Sequence, residues 1–266
     1  MQESIRLDGV SLWRRTQEEF SYDLKRTILS FLEGKYRHPA KKIVLDNIDL
    51  TIARGEKIGI IGANGSGKST ILKVISGILN PTTGKVRVKG KIAPLIELGA
   101  GFDPDLAVID NIILYGVMLG YTQDQMRGRS KAILAFAELE DYAIAPVKSL
   151  SSGMTARLGF AVATDVKPDI LILDEVLSVG DASFKEKSSK KMEEFWQDHV
   201  TVLLVSHSME MIRQNCHKAI WLEKGRIRMI GSTNDVVDQY LGCVTTPHTE
   251  VSHPIATQFS KHLRSI

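Results

Sequence analysis

Nine consecutive residues, Gly62, Ala63, Asn64, Gly65, Ser66, Gly67, Lys68, Ser69 and Thr70, have the composition of an anion cradle. Glycines let the backbone curl with successive N–H groups facing inward, a concavity suited to phosphate. Lys68 is long enough to reach β- and γ-phosphates, the Ser69 hydroxyl is a hard oxygen donor for Mg²⁺, and Thr70 can add a phosphate contact. The spacing Gly-x-x-x-x-Gly-Lys-Ser is that of the phosphate-binding loop. An ordinary glycine-rich turn would lack the flanks seen here. The apolar run 57–61 reads as a buried strand, and Ile71, Leu72 and Ile75 recur at helical spacing. The loop therefore opens onto a helix N-terminus, whose unpaired N–H groups favour anions. By itself it indicates a nucleoside triphosphate, not a particular reaction.

Three further groups could act on that ligand. The stretch Asp169-Ile170-Leu171-Ile172-Leu173-Asp174-Glu175 is an apolar strand that delivers two carboxylates at its C-terminal end, the edge where open α/β sheets bind ligands. Asp174 can hold Mg²⁺, and Glu175 can polarise the water that attacks a γ-phosphate. An acidic pair after a strand is often only a solvated turn; downstream of a phosphate loop it gains a function. Ser151, Ser152 and Gly153 open a helix just upstream of that strand. They offer hydroxyls and free N–H groups as a second phosphate-binding surface, or in isolation a plain helix cap. His207 follows the apolar run 200–205 and stands where a histidine can hydrogen-bond a γ-phosphate.

The elements that must position these groups alternate between strand and helix. Strand patterns occur at 5–12, 43–61, 85–88, 92–96, 170–173 and 200–205, and 219–230 reads as a hairpin turning at Lys224-Gly225. Helical periodicity governs 110–166, with a capping box at Thr122-Gln123-Asp124-Gln125 and the apolar face Met154, Leu158, Ala161 and Val162. A short helix is expected at 235–241, then a polar tail over 243–266. This order predicts a doubly wound α/β core with a helical insert. Residues 21–34 carry Leu24, Ile28 and Phe31 at amphipathic spacing. That helix either caps the core or lies at a membrane or partner surface.

Composition agrees with a globular chain: 43% of residues are hydrophobic and 24% charged. The net charge of +3 is too small to argue for a nucleic-acid surface. Cys216 and Cys243 form neither a disulfide framework nor a metal spacing and are expected to be reduced. The first residues lack the apolar segment of a signal peptide, and no run is long enough to span a membrane.

Taken in order, these motifs resemble the ATP-binding subunit of ABC transporters, from Ile5 to about Leu241. Leu150–Met154 is similar to the family signature Leu-Ser-Gly-Gly-Gln, with Ser152 and Met154 as departures. Ser178-Val179-Gly180-Asp181 resembles the D-loop, with Asp181 in its acidic position, and His207 resembles the switch histidine. The resemblance implies a P-loop NTPase (RecA-like) α/β core with an antiparallel β subdomain and an inserted helical subdomain. The implied bounds are 1–242 for the ATPase domain, about 98–166 for the helical subdomain and about 13–40 for the amphipathic insert. It also implies ATP and Mg²⁺ as ligands. A head-to-tail homodimer would sandwich ATP between one copy's Gly62–Thr70 loop and the other's Ser151–Gly153 and Asp181.

The glutamine usual at the entry to the helical subdomain is replaced; Glu97 is its counterpart here, or a neighbour one residue away. Trp13 is the nearest candidate for an adenine-stacking aromatic, with Tyr22 and Tyr36 as alternatives. The stretches 95–102, 151–161 and 175–181, with the insert at 21–34, resemble one branch of the family. That branch exports lipid-linked polysaccharides and polyol phosphates: O-antigen, capsule and teichoic acid. The implied partners are an integral-membrane permease and a lipid-linked glycan, with the chain peripheral on the cytoplasmic face of the inner membrane. Two other readings compete: a transporter of small solutes, and a soluble ATPase acting on nucleic acid. Cassettes of the latter kind come in pairs or carry a coiled-coil insert, whereas this chain has one phosphate loop and no heptad run.

Overall fold

The computed structural model describes residues 2–15, 41–96, 98–99, 101–165, 167–174, 182–197 and 199–245. Among the described residues, nine strands form two sheets. The larger has the order β5(Ile92–Leu95), β6(Ile170–Asp174), β7(Thr201–Val205), β3(Lys57–Ile61), β8(Lys218–Glu223), β9(Arg226–Ser232). Its first five strands are parallel, and β9 returns antiparallel on β8. The smaller sheet is antiparallel, in the order β2(Lys41–Ala53), β1(Glu3–Arg15), β4(Thr83–Val88).

Both faces of the parallel sheet are covered, which is why its strands read as unbroken apolar runs. Ile58, Ile60, Ile170, Ile172, Leu203, Val205, Ile220 and Leu222 pack against the small sheet and helix α1(Lys68–Ile75). Alternate residues, among them Leu171, Leu173, Val202, Leu204 and Trp221, face a helical layer. That layer comprises α2(Val108–Met118), α3(Gln123–Ala137), α4(Ser152–Asp165), α5(Ala182–Gln197), α6(Met209–Asn215) and α7(Thr233–Thr245). This is the expected α/β core with an antiparallel β subdomain and an inserted helical subdomain.

The long strands of the small sheet are held in phase by bulges. In β1 the buried apolar residues are Ile5 and Leu7, then Val10 and Leu12. Alternation alone would turn Val10 outward. Gly9, at φ 56°, and a register shift between Leu7 and Val10 restore it to the core. Asn47 in β2, at φ 49°, makes the matching shift, and its N–H donates to Ser11 Oγ at 2.9 Å.

Several element bounds differ from the sequence reading. Residues 13–15 belong to β1, not to the insert. The last helix runs 233–245, so 243–245 are its final turn and not tail. The C-terminal half of α4, residues 158–164, is buried on all sides and not along one face, because α2, α3 and β5 enclose it. The capping box of α3 forms as expected: the Gln125 N–H donates to Thr122 Oγ1 at 3.2 Å, and the Thr122 N–H donates to Gln125 Oε1 at 2.9 Å. The amphipathic helix expected at 21–34 and the tail beyond 245 lie outside the described residues.

Candidate functional site

Strand β3 leads straight into the glycine loop, and α1 leaves it. Gly67 is the N-cap of α1 and supplies no side-chain cap. Three glycines have positive φ: Gly62 at 149°, Gly65 at 77° and Gly67 at 109°. Gly65 is a glycine for conformation alone, since a Cβ there would meet nothing within 4 Å. At Gly62 a Cβ would lie 2.2 Å from the Leu222 carbonyl oxygen, and at Gly67 it would lie 3.1 Å from the Val44 carbonyl oxygen. The loop is thus pressed backbone to backbone on β8 and β2. Within it the Ser66 N–H donates to Ala63 O at 3.1 Å, and Lys68 Nζ donates to Gly62 O at 2.9 Å and Ala63 O at 3.2 Å. The Ser66 hydroxyl is buried and has no hydrogen-bond partner. Asn64 and Ser69 are exposed, and Thr70 is half-buried.

Parallel pairing brings two other groups to this edge. Asp174, the last residue of β6, is in register with Val205 of β7, which is in register with Ile60 of β3. At the usual strand spacing, the Asp174 backbone is about 10 Å from that of Ile60. His207 follows Val205 by two residues and is exposed. Its turn is pinned on both sides: Ser206 Oγ accepts the Ser208 N–H at 3.1 Å, and Ser208 Oγ caps α6 by accepting the Met211 N–H at 3.2 Å. The phosphate loop, Asp174 and His207 therefore share the C-terminal edge of three adjacent strands.

Ser151, Ser152 and Gly153 stand elsewhere. They are exposed at the start of α4, where Ser151 Oγ accepts the Met154 N–H at 3.2 Å. Helix α4 packs on α2, α3 and β5, and β5 is the edge strand, three positions across from β3. Gly159 of α4 approaches the chain so closely that a Cβ would lie 2.7 Å from the Gly99 nitrogen. Trp13 sits half-buried on β1, its N–H donating to Thr82 Oγ1 at 3.3 Å. Glu97, Glu175 and Asp181, and the alternatives Tyr22 and Tyr36, lie outside the described residues.

The arrangement suits a polyphosphate. The loop offers an uncapped helix start, an orphaned buried hydroxyl and a primary ammonium, and Ser69 and Asp174 are the hard oxygen donors that Mg²⁺ takes. The cysteines take no part. Burial pushes the Cys216 thiol up to about 12, so it stays protonated and inert; Cys243 is exposed on α7. Asn111 escapes sequence reasoning. It is fully buried, and its amide accepts the Asp103 N–H at 2.7 Å and donates to Asp103 O, Leu106 O and Ala107 O. It staples the 103–107 segment to α2, and nothing in its sequence neighbourhood signals this.

A family model described as ABC transporter matches residues 45–178. The chain is 44% identical over 218 residues to the O-antigen export system ATP-binding protein RfbB of Myxococcus xanthus, covering 81% of this chain and 50% of that one. It is 42% identical over 200 residues to the protein of the same name from Klebsiella pneumoniae, covering 75% and 81%. It is 44% identical over 196 residues to the teichoic acids export ATP-binding protein TagH of Bacillus cereus (strain ZK / E33L), covering 74% and 36%. The match thus spans half of the Myxococcus relative's length and about a third of the Bacillus one's. Among solved structures, a dimeric ATP-binding cassette in a post-hydrolysis state with ADP and Pi superposes with a TM-score of 0.64 at 24% identity, covering 86% of this chain and 98% of that one. That likeness speaks for the fold. With the motif order, the family match and relatives above 40% identity, the chain belongs to the ABC transporter family.

Proposed function

We propose that the chain is the ATP-hydrolysing subunit of an exporter that moves lipid-linked polysaccharide, of the O-antigen, capsule or teichoic acid type, across the cytoplasmic membrane. The observation that carries the hydrolytic part is the meeting of the phosphate loop, Asp174 and His207 at one strand edge, with Ser151–Gly153 on a separate helix. The names of the relatives support the substrate class.

In this reading Gly62, Asn64, Gly65, Ser66, Gly67, Lys68, Ser69 and Thr70 wrap the phosphates of ATP, and Trp13 stacks on the base. Lys68 exchanges its carbonyl partners for β- and γ-phosphate oxygens. Ser69 and Asp174, with Glu97, would hold Mg²⁺, which would supply positive charge against that developing on the phosphates. Glu175 polarises the attacking water, and His207 hydrogen-bonds the γ-phosphate. Ser151, Ser152, Gly153 and Asp181 of a second copy close the site from the far side.

The chain works as a peripheral subunit at the inner membrane, through a permease. No helix among the described residues is long and apolar enough to cross a membrane. Leu106, Leu114, Val117, Met118 and Ile144 are exposed apolar side chains of the helical subdomain, the last two at 63% and 89% exposure. Exposed apolar side chains of this kind suit a protein partner. Deleting the gene in its host should abolish surface polysaccharide, restored by the wild-type chain and not by Lys68→Ala. Unchanged surface polysaccharide in the deletion strain contradicts the reading.

A further inference from the structure

The turn between β8 and β9, Lys224–Gly225, carries no chemistry of its own, yet it meets the phosphate loop backbone to backbone. The Gly225 N–H donates to Ser66 O at 2.9 Å, and the Gly225 carbonyl accepts the Asp46 N–H at 2.8 Å. One residue thus bridges the loop to β2. No side chain fits there. A Cβ on Gly225 would lie 2.5 Å from Val44 O, and one on Gly67 would lie 3.1 Å from the same oxygen and 3.8 Å from Gly225 Cα. Gly225 also has φ 79°, where a side chain is strained. Next to the turn, Arg226 Nε and Nη2 donate to Asp46 Oδ2 at 2.8 and 2.6 Å, tying hairpin to β2.

The glycines that let the loop curl also give it the most conformational freedom to lose. A loop that binds anions through its amides therefore needs an outside restraint. Peptide units are planar and trans, so fixing one carbonyl fixes the N–H on its other side. With Ser66 O held by the hairpin, the Gly67 N–H must point away from it.

We propose that Gly225 is a positioning residue for the phosphate loop: the hairpin turn clamps the Ser66–Gly67 peptide and so aims the loop's amides before nucleotide arrives. This rests on the ATP-binding reading above. Gly90 gives a matched control, since its φ is 117° and a Cβ there would lie 2.5 Å from Asp169 Cβ, ahead of β5 at the opposite edge of the sheet.

The test compares Gly225→Ala and Gly90→Ala by melting temperature, by affinity for a fluorescent ATP analogue, and by KM against kcat for ATP. Gly225→Ala should weaken nucleotide binding by about tenfold or more, the scale of one misplaced peptide dipole, with KM rising and kcat nearly unchanged. Gly90→Ala, with a comparable fall in melting temperature, should keep wild-type affinity. A folded Gly225→Ala of wild-type affinity, or equal weakening in both variants, overturns the proposal. Amide exchange in the wild-type chain decides independently of how the variants fold. Nucleotide should slow exchange at Gly225 together with the loop, and loop protection without it overturns the clamp. A wild-type chain that binds no nucleotide overturns the ATPase reading as well, whereas failure in the variant alone overturns only the clamp.

Discussion

Lys68 holds its ammonium on the carbonyls of Gly62 and Ala63, two neutral acceptors. A triphosphate is a stronger acceptor for the same donor, because its oxygens carry full negative charge and add an ion pair to the hydrogen bond. Removing the ammonium should therefore tell on binding and hardly on folding. Lys68→Ala should weaken ATP binding roughly 10- to 100-fold, the equivalent of one charged hydrogen bond at about 1.5–3 kcal/mol. Its thermal melt should stay near wild type, and a titration with fluorescent nucleotide beside the melt checks both halves. At this scale the sequence was legible wherever chemistry fixes an offset. Lys68 and Ser69 follow Gly67 because the cradle requires that order, and Asp174 and His207 follow apolar runs that can only be central strands. Gly225 and Asn111 were invisible for the opposite reason. Their partners are chosen by the packed fold: the Gly225 contact joins residues 66 and 225 and leaves no local pattern.

The helical layer is fastened to itself by aromatic packing as much as by its caps. Phe136, Phe160 and Phe184 bring α3, α4 and α5 together, with ring centroids 6.2, 5.6 and 5.9 Å apart. The Arg157 guanidinium lies 5.7 Å from the Phe184 ring and donates to Glu138 at 3.2 Å, and Lys187 pairs with the same carboxylate. The start of α4, which carries Ser151–Gly153, is thereby linked through its own helix to α5, the helix that follows residues 175–181. Phe184 is fully buried, so Phe184→Ala should cost about 3–5 kcal/mol. Lys187→Ala, at a half-exposed ion pair, should cost under about 1 kcal/mol. Denaturant unfolding of the two variants checks the ranking. The strands of the parallel sheet could be read because burial on both faces leaves an unbroken apolar run. The full burial of α4 could not, because periodicity reports one face and cannot count the neighbours enclosing the others. The bulge at Gly9 was hidden likewise: it appears in sequence only as a broken alternation.

On the scale of the whole molecule, one chain carries the two proposed phosphate-binding surfaces on different elements. The phosphate loop belongs to β3 and α1, while the signature serines belong to α4 beside the edge strand β5. In the proposed reading, two copies arranged head to tail grip one triphosphate between them. A shared triphosphate would then draw two electropositive surfaces together, and loss of its γ-phosphate would release them. The helical insert was legible from its periodicity, whereas the antiparallel sheet was foreseeable only from the family resemblance, since hydropathy cannot tell which strands leave the main sheet. The split site rests on the family resemblance, and the placement of the two surfaces on different elements supports it. Sedimentation velocity of the Glu175→Gln variant tests it most directly, because that change should leave ATP bound and uncleaved. The account predicts a monomer without nucleotide or with ADP, and a dimer with Mg²⁺ and ATP. A variant that binds ATP at saturation and remains monomeric would contradict it.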